Sequence, residues 1–560
     1  MRYLTQSAII LALCCGQLCP QLGQAASFIT QQSSAPRKSV GATVSGRITV
    51  QGKGKGGIVV GLRARDAGPQ DGPGHKGVSD AEGNYQITDI PAGNYLVSPL
   101  SPAYVVSDFT SFGGPGKSLL LTEGERVNDI DFSIVRGGVV TGRVTNADGT
   151  PAIEESVYLV PADQANDSAR RFSGSAAAQT DDRGVYRMYG LRAGRFKVAV
   201  GMAEEGLSSS RTRPTFQRVF YPDVTEFNEA KVVEITEGSE STNIDIVLGQ
   251  TIKGFAASGI IVDGETTQPV PSLRVGLQKI IGTNQPPFIG TSSMSNARGE
   301  FRLENVTPGK YSLFVMPQAN TDTLIQPIQI EVVDQDVKGL TLKTAKGAVI
   351  SGVVVIEGTQ DPRLYEKLRN QRLYAFVRNP DNVSSFGSSR VVPIDPDGSF
   401  RIGGLLPGTA MFNLTSADRT RTGFVISRIE REGAVQSRNG MEIKAREQVT
   451  GVKIVVVHGS GTIRGSVKWD GDLPPAGVRL MVRLTSAGDT AAPFRPEEVD
   501  ARGRFIFQGV PAGDYEVILS STVRVGNAPL ASRQSVTVTD GATTEIELVV
   551  DTGAKKNPTP

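Results

Sequence analysis

Histidine and cysteine are nearly missing from this chain of 560 residues, which has only His75, His458, Cys14, Cys15 and Cys19. Neither histidine has a glutamate at the H-x-x-E spacing, so zinc peptidase chemistry is excluded on ligand count. A serine nucleophile needs a nearby base, and neither histidine accompanies a G-x-S-x-G elbow. Charge of one sign is lacking too: 59 basic and 57 acidic side chains leave a net charge of +2, spread along the chain. Without a basic footprint, nucleic acid is not an expected partner. Aromatic residues make up only 6%, with a single tryptophan. Beyond the N-terminus no apolar run approaches the roughly 18 residues that span a bilayer, so no membrane span is expected.

What the chain does have begins with MRYLTQSAIILALCCGQLCPQLGQAAS, where basic Arg2, an apolar run from about Ala8 to Cys15 and small residues at Gly23 and Ala25 make a secretory signal over 1–25. Export to the periplasm, cell surface or extracellular space is the expectation. All cysteines lie in that segment, so the mature chain would hold no disulfide. Lipidation of one of them is the rival reading, although Leu13, Cys14 and Leu18 precede them where a small residue is preferred. The 64 glycines and 32 prolines suit a turn-rich β protein.

One phrase then recurs five times: DAEGNYQITDIPAGNYLV from Asp80, DDRGVYRMYGLRAGRFKV from Asp181, NARGEFRLENVTPGKYSL from Asn296, DPDGSFRIGGLLPGTAMF from Asp395 and DARGRFIFQGVPAGDYEV from Asp500. Each holds two glycines ten residues apart, from Gly83 and Gly93 to Gly503 and Gly513. The opening D/N-x-x-G suits a tight turn in which glycine takes a positive φ and the acidic or amide side chain caps local N–H groups. An aromatic follows two positions after the first glycine (Tyr85, Tyr186, Phe301, Phe400, Phe505) and an aliphatic seven positions after it (Ile90, Leu191, Val306, Leu405, Val510). Both are expected in the core. Upstream of each phrase lies a strand built round a glycine: VSGRITV, VTGRVTN, ASGIIVD, ISGVVVI and IRGSVKW. Repeat four departs from the pattern, with Ala410 where other repeats carry an aromatic and a helical segment over 360–371.

These motifs resemble the carboxypeptidase regulatory-like domain, a transthyretin-like β-sandwich of secreted bacterial proteins. The resemblance implies an all-β chain of five tandem Greek-key sandwiches in an elongated array, usually non-catalytic and related in fold to carbohydrate-binding modules. The expected organisation is a flexible segment 26–41, sandwiches over 42–135, 136–249, 250–345, 346–458 and 459–550, and a flexible tail 551–560. Fold alone transfers no ligand.

SFGGPGKSLLL ends in Gly116-Lys117-Ser118, yet Ser111 stands where a phosphate-binding loop needs its first glycine and a strand follows where a helix should begin. Asp181, Asp182, Asp395 and Asp397 could be read as calcium ligands or a glycosidase pair, but they sit on expected turns. His75 reads as a solvated loop residue. For sugar binding the need is an exposed flat ring beside hydrogen-bonding groups. Trp469, and the cluster Phe216, Phe220, Tyr221 and Phe227, are the candidates, against a half-buried core edge for the first and a packed loop for the second. No cofactor or metal is expected. The expected function is a non-catalytic binding or spacer protein whose partner is a polysaccharide or a cell-envelope protein; the alternative is an accessory subunit docking on an outer-membrane or secreted partner.

Overall fold

The computed structural model describes residues 40–551 except 66–71, 108–115, 164–174, 202–214, 250, 281–288, 317–320, 360, 379–388, 417–422, 438–439, 471–479, 487–495 and 526–527. The expected signal segment and its cysteines lie outside the described residues. The chain is all-β, and the sheets pair off face to face into units with separate apolar cores. Among the described residues the α-helix is Pro362–Arg369, capped by the Asp361 carboxylate, and its Leu368 enters the core of unit four.

Each opening strand pairs antiparallel with the strand of the D-x-x-G phrase on one side and parallel with the last strand of its unit on the other, as Gly352 opposite Phe400 and Val452 illustrates. The phrase residues behave as the turn chemistry requires. Gly83, Gly184, Gly299, Gly398 and Gly503 all have φ between 72° and 88°. Asp80 accepts from the Asn84 amide, and Asp181, Asn296 and Asp500 accept equivalently at their own turns.

The aromatic and the aliphatic are five residues apart, an odd spacing that would place them on opposite faces of a regular strand. Both are nonetheless buried in all five units. A bulge reconciles the two, because the register slips one residue just before the aliphatic. The residue at the slip (Asp89, Gly190, Asn305, Gly404 or Gly509) has φ between 57° and 68°.

The opening-strand glycine also has a steric cause. In units one to four a Cβ there would lie 1.8 to 2.3 Å from a carbonyl oxygen in the closing strand or just ahead of it: Ile130, Ile244, Leu340 or Val452. In unit five the Phe505 ring fills that space, 1.9 Å from a Cβ on Gly465. Tyr85 and Tyr186 donate their hydroxyls to the Ile130 and Ile244 oxygens at 2.6 and 2.7 Å. Burial pushes both phenols above the ordinary tyrosine range. Tyr186→Phe strips a buried carbonyl of its donor and is expected to destabilise unit two by about 1–3 kcal/mol, read from urea unfolding.

The second turn works differently. Tyr95, Tyr311 and Tyr515 fold back over Gly93, Gly309 and Gly513 and donate to the carbonyls four residues earlier, Pro91, Thr307 and Pro511, at 2.8 to 3.0 Å. Repeat four lacks this ring. Its Ala410 is fully buried, and Leu364, Tyr365 and Leu368 of the helix pack against that core.

Candidate functional site

The junctions between units come first, because they fix where any surface can lie. Strand Phe132–Arg136 closes unit one and Gly138–Thr145 opens unit two, with only Gly137 between. Gly347 alone separates Val337–Lys346 from Ala348–Ile356, and Gly459-Ser460 separates Gln448–His458 from Gly461–Asp470. At each of these junctions the linker glycine amide donates to a carbonyl of the preceding unit: Gly137 to Ala103 at 2.9 Å, Gly347 to Asp322 at 2.7 Å and Gly459 to Gly423 at 2.9 Å.

The same preceding loop presses on the bulge of the following unit. A Cβ on Gly190 would meet the Pro102 oxygen at 2.2 Å, one on Gly404 the Thr323 oxygen at 2.7 Å, and one on Gly509 the Gly423 Cα at 2.7 Å. Bulge glycine therefore marks a unit docked in this way. Asp89 and Asn305 occupy the position where no unit precedes and where units two and three join instead by pairing Thr215–Phe216 with Thr251–Ile252.

The aromatic candidates lie against their own unit. Phe220 is buried at 5% exposure, and its ring meets Phe227 edge-on at 5.7 Å. Phe216 and Tyr221 are half-buried against the main core of unit two. Lys197, 6% exposed, sits beside the cluster, its ammonium 3.9 Å from the Phe227 ring centroid and donating to the Phe227 carbonyl. The Phe227 ring thus provides a seat for a buried cation. Phe227→Ala is expected to cost unit two about 2 kcal/mol in urea unfolding; an unchanged midpoint would return the ring to the ligand candidates.

Trp469 is half-buried at the edge of the core of unit five, opposite Val550 of the closing strand. That is the half-buried core edge weighed against a sugar-binding ring for this residue.

His75 starts strand His75–Val78, half-buried and 6.3 Å from the Tyr95 ring, which corrects the loop expectation. His458 lies against Phe424, and burial, reinforced by Lys367, lowers its pKa. Lys117-Ser118 begin strand Lys117–Leu121, as the absence of a helical continuation implied. Asp395 and Asp397 accept from Ser399, and Asp181 from Arg183 and Val185, which holds the carboxyls of Asp181 and Asp397 below the usual range. Among the described residues no group of three or more His, Cys, Asp or Glu could hold a metal ion.

A cavity of about 200 Å³ between units three and four is lined by Leu273, Phe314, Met316, Ile325, Leu406 and Arg390. The Arg390 guanidinium donates to the Ser389 and Gly404 carbonyls at 2.9 and 2.6 Å, and burial pushes its pKa down to about 10. The side chain thereby braces the bulge against which unit three docks. No signal in the sequence singled out Arg390.

No protein-family model matches the chain, and no curated protein does. Among solved structures it is similar to a streptococcal ancillary pilin, at 15% identity over 55% of this chain and 99% of that one with a TM-score of 0.24. It is also similar to the Bacillus anthracis TIE protein (12% identity, 76% of each chain, TM-score 0.15) and to a minor pilin of Streptococcus agalactiae (14% identity, 37% of this chain and 96% of that one, TM-score 0.21). At these identities and TM-scores none of the likenesses bears on what this chain binds or does.

Proposed function

We propose that the chain is an exported, non-catalytic scaffold whose units hold their surfaces at fixed separations in the periplasm or outside the cell. The observation that carries this reading is the junction built three times over, in which a one- or two-residue glycine linker and a bulge glycine clamp the loop of the preceding unit. Flexible tethers would serve a set of independent binding modules better, since they let each find its own site. Short locked junctions serve spacing.

A cell-envelope protein is the partner class this reading favours. A polysaccharide would gain from repeated weak contacts, but the rings offered for it pack against their own cores. Crosslinking in the native envelope, followed by recovery of the chain, tests the reading. A reproducible envelope partner supports it. Recovery of the chain alone, together with retention on a panel of cell-wall glycans, overturns it in favour of carbohydrate binding.

A further inference from the structure

Unit five touches unit one. Strand Lys117–Leu121 is the edge of its sheet, paired on one side only, with Gly93–Leu100. Such an edge carries a row of backbone groups open to strand addition. Here they are filled by the Asp500–Arg504 turn. The Ala501 amide donates to the Ser118 oxygen at 2.9 Å, the Leu120 amide donates to the Asp500 carboxylate at 3.3 Å, and Arg502 donates to the Leu120 oxygen at 2.6 Å.

Charges surround this plug. The Glu125 carboxylate accepts from Arg502 at 2.6 Å and from Arg504 at 2.9 Å, and Arg65 of unit one pairs with Glu498. The side chains of Asp500, Glu125 and Arg502 are 2%, 15% and 20% exposed, so these pairs lie largely out of water. The charges are particular to the two end units. The two positions that hold Arg502 and Arg504 carry Glu82 and Asn84 in unit one, Arg183 and Val185 in unit two, Arg298 and Glu300 in unit three, and Asp397 and Ser399 in unit four. Only the last unit presents two arginines there.

We infer that the Asp500–Arg504 turn is a resident plug on a strand-addition edge, and that when the plug is withdrawn the same edge accepts the turn of a second copy of this chain. The surface shown to fit this edge is that turn, and every copy carries both halves, so intramolecular closure and exchange between copies use one interface. Closure wins in the single chain because both halves belong to one chain and so meet at high effective concentration.

Mild acid is not the release signal. Burial disfavours the charged form of Glu125, but the Thr122 amide and Arg502 outweigh it and hold its carboxyl at about 2. The share of that depression due to Arg502 stabilises the contact fully above the ordinary glutamate range and is lost progressively as pH falls from that range to about 2.

The test uses the full chain with two charge reversals, Arg502→Glu and Glu125→Arg, both at surface positions outside the cores. Hydrogen exchange over 117–121 and 500–504 reads the edge and the turn, and sedimentation reads mass. Each single variant is expected to lose protection at Leu120 and Ala501 while its core strands stay protected. Mixed one to one, the intact edge of the first variant and the intact turn of the second pair up, so mass doubles and protection returns. Protection unchanged in both single variants overturns the plug; a mixture that stays monomeric and unprotected overturns exchange between copies.

Discussion

Gly352→Ala leaves the fourth unit marginally stable and the rest of the chain as stable as before. A methyl at this position would lie 1.8 Å from the Val452 carbonyl oxygen and 2.6 Å from its carbon, both backbone atoms of the closing strand. No rotamer relieves that overlap. Strand Gln448–His458 would have to lift away from Ala348–Ile356, breaking a parallel ladder that runs from Val349 to Ile356. Overpacking costs about 1–3 kcal/mol where side chains can yield, and more where only backbone can move. A single domain holds about 5–15 kcal/mol in all, so a loss of about 4 kcal/mol or more leaves unit four marginal. The hydrophobic clusters are separate, so the damage stays local. Hydrogen exchange in low urea is expected to show early loss of protection over 371–378 and 448–458 only. Gly358→Ala is the control: its φ is +75° but a Cβ there meets nothing within 4 Å, so only the backbone penalty of about 1 kcal/mol applies. Equal losses in the two variants would show that conformation, not overlap, governs the site.

Glycine was also where the sequence spoke most clearly. The pairs from Gly83 and Gly93 onward show the two turns directly, because a left-handed turn residue and a seat for a folded-back ring each demand the same residue at fixed spacing. The alternation of buried residues fixed the all-β class for the same local reason. The bulge was hidden in plain view: Tyr85 and Ile90 stand an odd number of residues apart, and both can face the core only if one extra residue intervenes. The junction glycines Gly137, Gly254, Gly347 and Gly459 precede each later opening strand, but their meaning depends on a loop about 25 to 36 residues upstream or on a bulge about 50 to 57 residues downstream. Arg390, Lys197 and the contact of Glu125 with Arg502 belong to this class as well. Each is one charged residue among many, and only the fold shows that it is buried or paired. The aromatic candidates failed to declare themselves for a related reason, since an amphipathic ring on a strand or loop reads the same from sequence whether it seats a sugar or a lysine.

Phe505→Ala separates the fold of unit five from its contact with unit one. The ring is 2% exposed, meets Phe507 edge-on at 6.1 Å, and occupies the space over Gly465 that a closing-strand carbonyl takes in the other units. Removing it leaves a cavity between the opening strand and the turn strand Arg504–Val510. The expected cost is about 3–5 kcal/mol, the range for a buried phenylalanine. Phe505 directly follows Arg504, so the plug is anchored to the strand that loses its core. The variant is therefore expected to lose protection at Ala501 and Leu120 together with the strands 480–486 and 513–525, all in one transition at low urea. Arg502→Glu loses the first two alone. Adding Phe505→Ala to Arg502→Glu should then lower the unfolding midpoint of unit five by nearly as much as it does in the wild-type chain, because the core and the plug draw on different contacts. A Phe505→Ala chain that keeps its plug at urea concentrations where 480–486 has already exchanged would show that the turn folds on the edge of unit one without its own sandwich.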